Sequence, residues 1–190
     1  MKKINGLLFS VVFMLLLSAC GAKPLMSKPM SSFSFTDQDG QAFGTDELAG
    51  KIWIADFIFT ECQTVCLPMM SEAASLQQQF KEQDLQVEFV TFTVDPTVDS
   101  PEVLKEYVGR YTDDESNWHM LTGYSQKEIE QFAMDAFKTI IIKPESSHQV
   151  LHGTSFYLVN QQGNVVKEYN YANSSYAEDL LKDIKRIQTK

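Results

Sequence analysis

Cys62 and Cys66 stand with three residues between them in "FIFTECQTVCLP", residues 57–68. Two thiolates four positions apart can point the same way when the backbone between them is helical or turn-like. They also lie near the start of a helix, whose dipole favours the thiolate and lowers its pKa. Such a pair supports two chemistries. It can close a disulfide if the Cα atoms come within roughly 4.4–6.8 Å, or it can hold a soft metal ion. Two sulfurs do not complete a metal site, so a third ligand is needed, and the chain has three histidines, His119, His148 and His152. His119, in "NWHMLTG", alternates with apolar residues as an ordinary position on a short strand. His148 and His152 are four apart, the spacing of a paired-His helix, but Pro144, Ser146 and Ser147 make that segment a loop, with His148 exposed on it. His152 directly precedes the apolar "GTSFYLV" and can face the mouth of the strand ending at Phe59. Spacing alone leaves its role as a ligand open.

The elements that must position these residues follow from periodicity. "FSFTDQDGQAF" has alternating Phe33 and Phe35, a turn at Asp39-Gly40, then Phe43, and predicts a hairpin. "IWIADFIF", 52–59, is a near-continuous apolar run of strand length, the mark of a central strand buried on both faces. Behind the cysteines, Pro68 suits a first helical turn and biases Leu67 away from helical angles. Met69, Ala73, Leu76 and Phe80 then fall at helical spacing. "VEFVTFTV", 87–94, is strand again. "DSPEVLKEYVGRY" opens with a cap and a proline and reads as helix, with Asp99 as its cap and Glu102 three positions on. Ser125 and Glu128 form a capping box for the next helix. "TSFYLVNQQGNVVKEYN" predicts a second hairpin turning near Gly163, and "SSYAEDLLKDIKRIQ" a closing helix. Strands alternating with helices predict an α/β sandwich with a mixed sheet flanked by helices and an extra N-terminal hairpin. A central strand running through a cysteine loop into a helix is the layout of the thioredoxin-like fold.

The N-terminus sets the compartment. Lys2 and Lys3 precede "LLFSVVFMLLL", an apolar run too short to cross about 30 Å of hydrocarbon, so the segment reads as a secretory signal peptide over residues 1–19. "LSAC" resembles a bacterial lipobox. It implies that Cys20 becomes the lipidated N-terminus, carrying acyl chains such as palmitate, on the outer face of the cytoplasmic membrane. "GAKPLMSKPMSS" lacks periodicity, and residues 20–32 form a tether to a single domain over 33–190. The formal charge is −9, and losing Lys2 and Lys3 makes the remainder more acidic. That balance excludes nucleic acid as a partner and favours cations. Outside the cytoplasm the surroundings are oxidising. With Cys20 lipidated, an internal disulfide can join only Cys62 and Cys66.

Four stretches, "FIFTECQTVC", "TVDPTVDSPEVLKEYV", "WHMLTG" and "LHGTSFYLVNQQGNVV", resemble the Sco/SenC family over nearly all of residues 33–188. The resemblance implies a thioredoxin-like fold. It also implies one copper ion per chain, Cu(I) or Cu(II), held by Cys62, Cys66 and His152, and a part in building the dinuclear copper centre of cytochrome c oxidase subunit II. Asp95 falls where the family has an acid near the metal; it also reads simply as a strand-end residue starting a turn with Pro96. Leu67 stands where the family usually has proline, which leaves the backbone at Cys66 less constrained. Neither Gly153 nor Thr154 is proline, so the proline that thioredoxins place before this strand is missing, which leaves room for a histidine ligand.

Thiolates with an imidazole suit copper in both oxidation states. Zinc normally takes four ligands, and three are evident. The leading expectation is therefore a metal carrier, not an enzyme. The enzymatic alternative is a membrane-anchored thiol-disulfide oxidoreductase that keeps the oxidase's copper-site cysteines reduced. It would use the same redox pair, Cys62 and Cys66, without needing His152. A peroxidase would want an arginine beside its cysteine. Thr60 is near, but Arg110 falls within a helix and Arg186 near the C-terminus.

Overall fold

The structure is a computed structural model, and it describes residues 29–188. Strands β1 (Ser34–Thr36) and β2 (Ala42–Gly44) pair antiparallel as the expected hairpin. Strands β3 (Ile52–Ile58), β4 (Val87–Thr93), β5 (Trp118–Leu121), β6 (Ser155–Val159) and β7 (Val165–Asn170) form a five-stranded sheet ordered β5-β4-β3-β6-β7. β3, β4 and β5 run parallel, while β6 and β7 run antiparallel to their neighbours, so the sheet is mixed as the alternation predicts. Helix α1 (Cys66–Glu82) carries the chain from β3 to β4, and α2 (Pro101–Val108) from β4 to β5. Helix α3 (Gln126–Phe132) runs into a π-helical turn over Ala133–Phe137, and α4 (Tyr176–Gln188) closes the domain.

β3 is buried along its whole length, as its apolar run requires. On one face, Trp53 and Phe57 pack edge-on to Phe137, and Phe33 and Phe35 of the hairpin pack against Phe92 and Phe132. On the other, Phe80 of α1 stacks on Phe89, and Phe156 stacks on Tyr176 of α4. A fully buried phenylalanine stabilises by about 1.5–3 kcal/mol, so this aromatic layer is a large part of the core. The hairpin is tied on by paired backbone bonds between Thr36 and Thr122, 3.0 and 2.8 Å, beside the end of β5.

Two local expectations need correction. The first helix begins at Cys66, ahead of Pro68, and Leu67 is helical. Pro68 costs nothing there because first-turn N–H groups have no intrahelical acceptor. The cap of α2 is Ser100, whose side chain accepts from the Val103 amide at 3.4 Å. Asp99 is instead fully buried, and its carboxylate accepts from the Thr60 amide (3.2 Å), the Thr60 hydroxyl (2.5 Å) and the Thr93 hydroxyl. A cap and a buried acceptor one residue apart look alike in sequence, since both residue types suit either place. The Ser125–Glu128 capping box forms as expected.

Candidate metal centre

Antiparallel register brings the distant histidine to the cysteines. β3 and β6 pair Ala55 with Tyr157 and Ile54 with Leu158. Continued along both chains, that register sets His152 level with Thr60, two residues before Cys62. The donor atoms of Cys62, Cys66 and His152 lie within 4.8 Å of one another. Both cysteines are free thiols. His152 Nε2 is 3.5 Å from Cys66 Sγ, and His152 Nδ1 is 2.8 Å from the Gly153 carbonyl. A carbonyl only accepts, so Nδ1 carries the proton and Nε2 turns a lone pair toward the sulfurs. Burial lowers the His152 pKa, against a smaller opposing pull from that carbonyl, so the ring is neutral at pH 7. Phe59 packs edge-on to it at 5.8 Å. Neutral imidazole oriented by a carbonyl is the form that binds metal.

The two thiols differ. No side chain caps α1, and Cys62 Sγ takes over that role by accepting from the Cys66 amide at 3.4 Å. Burial opposes ionisation of Cys62. Hydrogen bonds from the Cys66 thiol, the Thr64 and Cys66 amides and the Thr64 hydroxyl outweigh it, so its pKa falls below the ordinary cysteine value. Cys66 moves the other way. Burial pushes its thiol far up, its hydrogen bond to Cys62 adds to that, and the charge of Asp56 contributes a smaller part. Cys62, 5% exposed, is thus the more easily ionised thiol of the pair, and Cys66 beneath it is fully covered and holds its proton.

The other sequence candidates fall elsewhere. His119 sits on β5, stacked on Phe43 at 3.7 Å and 3.5 Å from Glu88, an ordinary strand position as expected. His148 is exposed on its loop. Asp95 is buried and is not one of the three converging donors; its Oδ1 accepts from Lys143 Nζ at 2.5 Å and from the Thr97 hydroxyl at 2.8 Å. Leu67 is 47% exposed on the first turn of α1. No peptide bond among the described residues is cis. Residues 1–19 and Cys20 lie outside the described residues.

Sequence reasoning missed Asp56. It lies in the buried centre of β3, opposite Thr91 on β4, and its Oδ2 has no hydrogen-bond partner. Burial raises its pKa to about 7, partly offset by a hydrogen bond from Thr91, whose oxygen in turn accepts from Trp118 Nε1 at 3.0 Å. The signal was in view: one carboxylate inside an otherwise apolar strand. Lys143 was also missed, and no periodicity or motif marks it.

A thioredoxin-like sheet with a dithiol and one imidazole at the end of its central strand defines a class of protein in which thiol chemistry and soft-metal binding share one site. Within that class the chain belongs to the SCO1/SenC family, whose model matches residues 22–189. A Bacillus subtilis (strain 168) protein described as an SCO1 protein homolog is 41% identical, over 100% of this chain and 99% of its own. The solved structure of a SCO1/SenC family lipoprotein from Bacillus anthracis str. Ames is 49% identical, with a TM-score of 0.83 over 87% of this chain and 98% of its own. BsSco, described as a member of the Sco family of cytochrome c oxidase assembly proteins and as carrying a disulfide switch, is 43% identical, with a TM-score of 0.78 over 88% and 96%. Arabidopsis thaliana ScoI, solved with copper bound, is 26% identical, with a TM-score of 0.69 over 83% and 98%.

Proposed function

We propose that this protein is a copper carrier. Cys62, Cys66 and His152 hold one copper ion per chain and deliver it for assembly of the dinuclear copper centre of cytochrome c oxidase subunit II. The observation that carries this reading is the His152 ring, which points Nε2 at Cys66 while the Gly153 carbonyl holds Nδ1. Simple dithiol exchange has no use for that imidazole. Two thiolates suit Cu(I), and an added nitrogen accommodates Cu(II). The described residues group three donors and no fourth, which fits copper better than a four-coordinate zinc site. Family membership, a copper-bound relative and a relative named as an oxidase assembly protein support the same conclusion.

The anchor is part of the proposal. Residues 1–19 direct export, Cys20 is lipidated, and residues 20–32 tether the domain at the outer face of the cytoplasmic membrane. The B. anthracis relative is described as a lipoprotein. No helix among the described residues is long and apolar enough to cross a membrane.

The split between the thiols favours a second use of the same site. Cys62, the more easily ionised and less covered of the two, is the attacking sulfur of a thiol-disulfide exchange, and the fully covered Cys66 then closes the internal disulfide. The two uses separate genetically. In cells lacking the native gene, His152→Ala is expected to leave disulfide reduction by the purified protein nearly intact but to abolish oxidase activity, while Cys62→Ser abolishes both. Oxidase at the wild-type level with His152→Ala, and none with Cys62→Ser, would assign the function to thiol exchange.

A further inference from the structure

The strap that delivers His152 to the thiols is thinly held. It runs from the π-helical turn to β6. Within it, Ile142 and Leu151 pair through two backbone bonds of 2.9 Å each. Ile141 and Val150 turn inward, but Ile140, Ile142 and Leu151 turn their side chains to solvent at 56%, 49% and 64% exposure. Apolar burial therefore secures only part of it. A polar tie sits one residue beyond the backbone pair. Lys143 Nζ donates to Asp95 Oδ1 at 2.5 Å and to Thr97 Oγ1 at 2.9 Å. The Asp95 side chain is 4% exposed and Lys143 is 25% exposed. Asp95 is itself fixed to the end of β4, its amide donating to Thr93 Oγ1 at 3.0 Å. A second tie is slighter: Gln149 Nε2 reaches the Glu61 carbonyl at 3.4 Å.

We infer that Lys143 is a positioning residue for the metal site, and that Asp95 acts on the site through Lys143 instead of as a ligand. Lys143 and His152 each directly follow one member of the antiparallel Ile142–Leu151 bridge, on opposite arms of the strap. Fixing Lys143 to the sheet therefore fixes the reach of His152 over Cys66. A buried carboxylate without its cation would draw in water or shift to find another donor, and the strap would move with it. The consequence differs between the two copper oxidation states. Cu(II) needs the imidazole, whereas Cu(I) is satisfied by the two thiolates, which sit on β3–α1 and do not depend on the strap. Lys143 thus sets how strongly the site prefers Cu(II). This inference rests on the copper reading above, but one arm of its test needs no copper.

The test compares full-length wild type with Lys143→Met, Lys143→Arg, Asp95→Asn and the Asp95→Asn/Lys143→Met double variant, all reduced and in detergent. In Lys143→Met, Cu(II) affinity is expected to fall about 10–100-fold, the usual cost of losing a supporting residue, with Cu(I) affinity unchanged. Lys143→Arg should restore most of the loss. The double variant should be no weaker than the worse single one, since both break one tie. In metal-free protein, the NMR signals of the His152 ring should move toward those of a solvated imidazole, with those of His119 and His148 unmoved. Unchanged His152 signals in Lys143→Met would overturn the inference even if copper did not bind at all. Equal losses of Cu(I) and Cu(II) affinity would also overturn it, because they would mark a general loss of folding. If the metal-free shift appears and wild type binds no copper, the positioning role stands and the copper reading falls.

Discussion

Closing the Cys62–Cys66 disulfide is expected to abolish copper binding. Thiolates are strong donors to soft ions and disulfide sulfurs are poor ones. The two sulfurs lie within 4.8 Å of each other, and Cys62 is the more easily ionised of the pair, so oxidation needs no large movement. Losing a supporting residue around a metal costs about 10–100-fold, so loss of two direct donors should cost about a thousandfold or more. Equilibrium dialysis of oxidised and reduced protein against a copper buffer measures the difference. Mass spectrometry of the oxidised form should show one internal link joining these two residues. Equal copper affinity before and after reduction would contradict the ligand assignment. The same dependence makes the site redox-gated: copper can enter only while the dithiol is reduced.

The second large effect concerns Asp56. Its carboxyl is raised from 3.8 to about 7 by burial in the middle of β3. A group whose folded value exceeds its unfolded value binds its proton more tightly in the fold. Its contribution is fully present below about pH 4 and is lost as pH rises through about 7. Three pH units at 1.36 kcal/mol each amount to about 4 kcal/mol. Asp56→Asn removes this titration. The stability of the variant relative to wild type should therefore swing by about 4 kcal/mol in its favour between pH 4 and pH 8. The unpaired Asn amide adds a constant cost of about 1–3 kcal/mol that does not depend on pH. Urea unfolding of both proteins across that range reads the swing directly, and a difference that stays flat with pH would show that Asp56 is not protonated in the fold. Asp56 also raises the Cys66 pKa, so Asp56→Asn should make Cys66 easier to ionise. Alkylation rates of Cys66 against pH report that.

The scaffold was legible because each element carries its own local signal. The unbroken apolar run of β3 marks a strand covered on both faces, and the structure buries every residue of it. The Ser125–Glu128 box and the turn at Gly163, where φ is +73°, are similarly self-contained. The site was less legible, because what assembles it is tertiary. His152 meets Cys66 through the pairing of β3 with β6, a contact across 86 positions of sequence. Spacing alone left His152 open, and only the resemblance singled it out. Asp99 was misread because Asp and Ser are equally good caps, and the choice between them depends on Thr60, in the turn after β3, and Thr93, at the end of β4. Lys143 has no local signature, since its meaning comes entirely from Asp95, 48 positions earlier. Asp56 could have been found, because a carboxylate in a run that must be buried has to be paired, protonated or functional.

The most direct test of the account is a copper(II) titration of the reduced full-length chain in detergent, followed by absorption. The account predicts a sulfur-to-copper charge-transfer band that grows linearly and saturates at one equivalent. The band should be absent in Cys62→Ser, Cys66→Ser and His152→Ala, and unchanged in His119→Ala and His148→Ala. A band that persists without His152, or no band in wild type, would contradict it.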